Sequence, residues 1–243
     1  MERFIFGIRV REVSGGEETS GIESCCAVLQ HDSDIPASGV LIAPRMVLTV
    51  KHAVGLATYV RVPATTISDG PSYEVQPPVP CPDPSVDLAL LILRKPAAAT
   101  PVALADSTIF TRALAEGVML CGFGCARDIY GIPVNWGYKR KTPPNLAISH
   151  PTSLLDIEYG QDIEFVAGGS FQMPDGSTAI FDAETGDSGG PAYLTNDGEV
   201  IAVVGIDKKE YRPNRNIYVR VDAQRKWIEK VASDNGIALT ALP

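Results

Sequence analysis

Apolar residues in this chain come in ten short runs, each closed off by turn-forming residues, and that spacing leaves little room for anything but a fold of many short strands. The runs are Cys26–Gln30, Gly39–Ala43, Val47–Val50, Thr58–Val62, Leu88–Leu93, Val118–Phe123, Ile163–Ala167, Pro191–Leu194, Val200–Ile206 and Ile217–Val221. Four to seven residues are too few for a stable helix. The pattern predicts an all-β, antiparallel architecture. Between the fifth and sixth runs lies Lys95-Pro96-Ala97-Ala98-Ala99-Thr100-Pro101, extending to about Ser107. Its prolines and small residues suit an exposed crossing, which divides the chain into 1–107 and 108–243. No internal repeat is visible.

One helix is expected, at 222–234. Asp222 is placed to cap it, Ala223, Trp227, Ile228 and Val231 recur at three- and four-residue spacing, and Lys226 and Lys230 sit toward its negative end. Trp227 reads as a core anchor on that stripe. Asp156, Glu158, Asp162 and Glu164 read as the wet face of strands rather than a metal site, and Gln76 to Pro84 as a stiff proline-rich loop.

Of 243 residues, 45% are apolar, enough for a sizeable core. No apolar run approaches the roughly 20 residues that cross a bilayer, so no membrane association is expected. Met1 to Gly7 is too short and too polar at its flanks for a secretory leader. A net charge of -8 repels a phosphate backbone, which argues against nucleic acid as a partner and mildly favours cationic peptides.

Chemistry concentrates in three segments. Gly186-Asp187-Ser188-Gly189-Gly190-Pro191 combines a hydroxyl nucleophile with glycines that let backbone N–H groups approach a developing oxyanion, Gly186 and Ser188 offering the pair. A serine hydroxyl needs a neighbouring base. Val47-Leu48-Thr49-Val50-Lys51-His52-Ala53 supplies a histidine directly after a buried strand, and Ser85-Val86-Asp87-Leu88-Ala89-Leu90-Leu91 opens another strand with an aspartate. Desolvation of Asp87 is costly without a partner such as a histidine ring.

These segments, in the order His52, Asp87, Ser188, resemble V-L-T-A-A-H-C, D-I-A-L-L and G-D-S-G-G-P of the chymotrypsin-like (trypsin-fold) serine proteases. Cys121-Gly122-Phe123-Gly124 is similar to the family's G-W-G, and Asn216-Ile217-Tyr218-Val219-Arg220-Val221 with Trp227-Ile228 to its G-V-Y-T-K-V and W-I ending. The stretch between about Gly131 and Gly169 matches no family segment and reads as loops around the cleft. The resemblance implies two antiparallel six-stranded-type β-barrels followed by the C-terminal helix. The first barrel carries His52 and Asp87, the second carries Ser188, and the cleft lies at their junction. It also implies a peptidase that works through a His-Asp-Ser triad and needs no cofactor.

Further implications are residue-specific. Asp182 falls at the base of the primary specificity pocket, with Ala183, Gly205 and Asn216 as further substrate-binding positions. A carboxylate there selects Arg or Lys. Asn216 stands where the family usually has glycine and narrows the pocket. Ile5-Phe6-Gly7-Ile8 partly resembles the family's activating terminus I-V-G-G, whose ammonium pairs with the aspartate before the nucleophile, here Asp187. Removal of four residues, an internal partner for Asp187 and a regulatory or activating protein all stay open.

Five cysteines are an odd count, and the two bridges common in secreted relatives are missing, since Ala53 and Glu184 occupy those positions. A reducing, cytoplasmic setting is expected, with a secreted form whose leader is absent from this chain as the alternative. Cys121-x-x-x-Cys125 lacks a partner set for metal. The functional reading is a serine endopeptidase acting on a protein or peptide after Arg or Lys. The alternative is a non-catalytic or zymogen-locked binding module, which Asn216 favours, and an esterase using the same triad has no positive signal.

Overall fold

The computed structural model describes residues 4–5, 8–9, 16–31, 33–127, 133–134, 137–149, 162–172, 178–181, 183, 185–212 and 215–243. Each of the ten apolar runs forms a strand. The first sheet holds seven, in the order Ser72–Glu74, Thr58–Arg61, Cys25–Gln30, Ser33–Ala43, Met46–Thr49, Ala89–Ile92, Val79–Pro80. The second runs Ile148–Ser149, Glu164–Ala167, Arg215–Arg220, Glu199–Arg212, Pro191–Asn196, Met119–Gly122, Arg140–Lys141, Glu17–Glu18. Ala103–Leu104 joins it as a ninth strand, parallel to Glu199–Arg212 at Ala202 and Val203. Two sheets, antiparallel but for Ala103–Leu104, and a C-terminal helix make the trypsin-like double barrel.

Continuous apolar runs, rather than alternating ones, follow from sheets that are buried on both faces. Along Cys25–Gln30, Cys25, Ala27 and Leu29 enter one cluster while Cys26 and Val28 enter another. Leu48 and Leu90 share the first cluster, and Val47 and Leu91 the second. In the other half, Met119 and Cys121 join the first cluster, while Leu120 turns to a third around Phe165 and Tyr218. The shared cluster is therefore the interface between the barrels, and the other two are their private cores. Ile228, Val231 and Ala232 of the C-terminal helix complete the shared one. Thr240 beyond the helix bonds the Ile42 carbonyl of the first barrel at 3.3 Å.

Several expectations are corrected. A second helix, Ser107–Glu116, follows the crossing. The Asp106 carboxylate caps it by accepting the Ile109 N–H at 2.8 Å, and Gly117 at φ 85° ends it. The crossing itself is only partly exposed, since Ala97 and Ala99 pack into the first barrel. Glu17–Glu18 and Ala103–Leu104, which precede residue 108, pair with the second sheet. The stretch 131–169 contributes Arg140–Lys141 and Ile148–Ser149 to that sheet as well as the expected Glu164–Ala167. Two-residue strands carry no periodicity to read.

The C-terminal helix spans Val221–Asp234, with Arg220 rather than Asp222 at its N-cap. Asp222 lies in the first turn and pairs with the Arg220 guanidinium at 2.7 Å. Trp227 packs against the shared core, whereas Ala223 is exposed. Glu164, expected on a wet face, is buried and paired with Lys208. Asp162 is exposed, and Asp156 and Glu158 lie outside the described residues.

Candidate active site

Strand register brings Asp87 to His52. Ala89 pairs with Thr49 and Leu90 with Leu48, so two residues further out Asp87 stands opposite Lys51. Past Thr49 the chain makes one tight turn, Lys51–Ala53, that swings the His52 ring back over the strand end. Asp87 Oδ2 then lies 2.6 Å from His52 Nδ1, while its Oδ1 accepts the backbone N–H of Lys51 at 2.9 Å and of His52 at 3.2 Å. The carboxylate holds both ring and backbone. Its side chain keeps 19% exposure against 48% for His52. Burial, the largest influence, pushes the Asp87 carboxyl up, but the His52 hydrogen bond, the ring's charge and the two backbone N–H groups together hold it below its ordinary value.

Ser188 enters from the second barrel and lines the same cleft of about 640 Å³ as His52, Asp87 and Gly186. No hydrogen bond joins its hydroxyl to the His52 ring among the described residues; catalytic hydrogen bonds are often formed only once substrate is bound. The loop that carries it is fixed through its carbonyls. Thr185 O accepts from Cys125 N–H at 3.1 Å, Gly186 O from Ser38 Oγ at 2.9 Å, Asp187 O from Gly190 N–H at 2.6 Å and Ser188 O from Ser38 N–H at 2.8 Å. In a planar trans peptide the N–H points opposite the C=O. Anchoring Thr185 O therefore turns the Gly186 N–H away from Cys125, and anchoring Asp187 O does the same for the Ser188 N–H. Gly189 must be glycine here: at φ 85°, a Cβ would stand 2.2 Å from both Ser38 O and Thr49 Oγ1.

Asp187 is buried beneath this loop. Its Oδ1 accepts the Gly124 N–H at 2.8 Å, and a Cβ on Gly122 or Gly124 would lie 2.1 or 2.5 Å from the carboxylate. The C-G-F-G segment is thus the floor on which the aspartate rests. The backbone of Ile5 pairs with Ile8 in a two-residue hairpin, and its side chain lies outside the described residues.

On the specificity side, Ala183 and Asn216 line the cleft, and Asp182 and Glu184 lie outside the described residues. Asn216 is buried. Its Nδ2 donates to Asp207 Oδ1 at 3.0 Å and to Ala183 O at 3.4 Å, and its Oδ1 accepts the Ala183 N–H at 3.4 Å. Gly205 is not on the lining. A Cβ there would meet the Phe165 ring at 2.4 Å, so it serves packing within the barrel. The strand Glu199–Arg212 instead brings Asp207, Lys208 and Lys209 to the cleft, two to four residues later. Sequence reasoning singled out Gly205 from the segment Gly205-Ile206-Asp207 rather than Asp207, whose signal is a carboxylate at the very end of the buried run Val200–Ile206.

All five cysteines are free and buried, and burial pushes the thiols of Cys26 and Cys121 well above their ordinary value. A thiol so raised holds little thiolate and is a poor nucleophile.

The family model for trypsin matches residues 13–228. The chain belongs to the trypsin family and is a serine protease of that general type. The comparison with curated proteins finds no match.

Proposed function

We propose that this chain is a serine endopeptidase in which His52, Asp87 and Ser188 act as one triad. His52 takes the Ser188 proton as Oγ attacks a peptide carbonyl, then delivers it to the leaving amine, while Asp87 orients the ring and stabilises the imidazolium. The acyl-enzyme ester on Ser188 is hydrolysed by water through the same base. The N–H groups of Gly186 and Ser188 stabilise the tetrahedral oxyanion. The observation that carries this reading is the Asp87–His52 contact of 2.6 Å in a cleft shared with Ser188.

Cleavage after Arg or Lys is the specificity we propose. Asp182 supports it by its place in the sequence, and Asp207 adds a second, buried carboxylate on the cleft lining beside Asn216. A carboxylate at the base of a specificity pocket selects a cationic side chain, because that side chain compensates its charge where water is excluded.

A second reading, a protease-like binding module, draws on Asn216, whose amide is engaged with Asp207 and Ala183 and occupies pocket wall. Labelling with a fluorophosphonate, with Ser188→Ala as control, beside turnover of Arg/Lys and Phe/Leu peptides, separates the two. Labelling of wild type but not Ser188→Ala, with Arg or Lys peptides cleaved first, is the expected result. No labelling of wild type favours the binding module. Turnover of Phe or Leu peptides alone removes the specificity claim and leaves the peptidase.

A further inference from the structure

We propose that Ser38 is a positioning residue through which docking of the first barrel sets the shape of the oxyanion loop on the second; the proposal rests on the serine-peptidase reading above. Ser38 lies in the first-barrel strand Ser33–Ala43 and is fully buried. Its Oγ donates to Gly186 O at 2.9 Å and accepts the Phe123 N–H at 2.9 Å. Its own N–H donates to Ser188 O at 2.8 Å, and its carbonyl accepts Thr49 Oγ1 at 2.8 Å.

Proton orientation follows without ambiguity. The Phe123 N–H can only donate, so Ser38 Oγ is its acceptor, and the hydroxyl proton is left for Gly186 O. One residue thus grips the loop on either side of the Asp187–Ser188 peptide, whose N–H is one of the two proposed oxyanion donors. The side chain also spans two second-barrel segments, the C-G-F-G floor and the G-D-S-G-G loop, which otherwise meet through Asp187 and Cys125. A hydroxyl on the first barrel therefore acts as a clasp between two walls of the second. Ser38→Ala leaves a buried carbonyl and a buried N–H without partners, and the loop relaxes to recover them. Displacements of about 1 Å in a catalytic constellation cost about 100-fold in rate.

The test compares wild type with Ser38→Ala, Ser38→Thr and Ser24→Ala. Ser24 is the control because its hydroxyl meets Tyr193 OH at 2.9 Å, a buried contact between the barrels that does not touch the loop. The measurements are kcat and KM on a peptide substrate, affinity for a peptide aldehyde against the matching carboxamide, and backbone hydrogen exchange of the 185–190 loop. Ser38→Ala is expected to lower kcat about 10- to 100-fold, with KM changed by less than about threefold. Aldehyde affinity falls by the same factor as kcat/KM, carboxamide affinity does not, and loop exchange accelerates about tenfold or more. Ser38→Thr restores most of each, and Ser24→Ala changes none.

If Ser38→Ala does not fold, Ser38→Cys, with its weaker donor, takes its place in every comparison. Retention of kcat and aldehyde affinity within about threefold overturns the proposal, as does a Ser24→Ala variant that loses as much as Ser38→Ala. Should wild type neither label nor turn over substrate, the peptidase reading fails, and hydrogen exchange alone decides the clasp. Faster loop exchange confined to Ser38→Ala supports it, and unchanged exchange overturns it.

Discussion

Asp87 holds His52 by both of its oxygens: Oδ2 meets the ring at Nδ1, and Oδ1 accepts the backbone N–H of the same residue. The ring tautomer and the backbone turn that presents it are therefore set by one carboxylate. Asp87→Asn replaces an acceptor-only group with one that also donates, and the ring loses its enforced tautomer. A fall in kcat of about 10⁴-fold is expected, with KM nearly unchanged, measured by steady-state kinetics on a peptide substrate.

The same contact predicts a dependence of stability on pH. A carboxyl held below its ordinary value contributes stability that is complete above the unfolded value of about 4 and is lost as pH falls through the lower folded value. Urea unfolding of wild type and Asp87→Asn should therefore differ by more at about pH 5 than at about pH 3. A difference that is as large at the lower value contradicts the depressed carboxyl.

Asn216 and Asp207 give a prediction about specificity. Asn216→Gly removes the amide that donates to Asp207 Oδ1 and widens the pocket, which should raise kcat/KM on Arg and Lys peptides by about tenfold or more. Asp207→Asn should lower it by about 10- to 100-fold on those substrates and leave Phe and Leu peptides within about threefold, the loss expected for one charge-assisted contact. Competition between Arg and Phe peptides in one reaction reads the ratio directly.

Lys208 and Glu164 form an ion pair in which the carboxylate keeps 2% exposure and the ammonium stem 16%. Lys208→Met takes one partner from a largely desolvated carboxylate and is expected to cost about 1–3 kcal/mol in chemical denaturation. The double variant Lys208→Met with Glu164→Gln should recover most of that loss.

Much of this architecture could be read from the chain because its strands are buried on both faces and so appear as unbroken apolar runs. The motifs around His52, Asp87 and Ser188 were equally legible, since each lies just outside an apolar strand, His52 after one and Asp87 and Ser188 before one. Other features depend on partners distant in sequence. Ser38 is an unremarkable serine before a glycine until Phe123 and Gly186 close around it. Asp207 stands two residues after Gly205, and which of the two reaches the cleft depends on the pairing with Arg215–Arg220. Glu164 alternates like a surface residue, and its pairing with Lys208, 44 residues further along the chain, is invisible until the strands meet. The Ser107–Glu116 helix buries just Phe110 and Ala113, too few points for a periodicity to declare itself.

The account stands or falls on whether His52 and Ser188 act as a single unit. Measuring kcat/KM for Ser188→Ala, His52→Ala and the double variant tests this directly. Each single change should cost about 10⁴-fold or more, and the double little beyond the larger of them, because removing either partner already disables the other. Losses that multiply, or a single variant that keeps a tenth of wild-type activity, would show that the two side chains do not share one reaction.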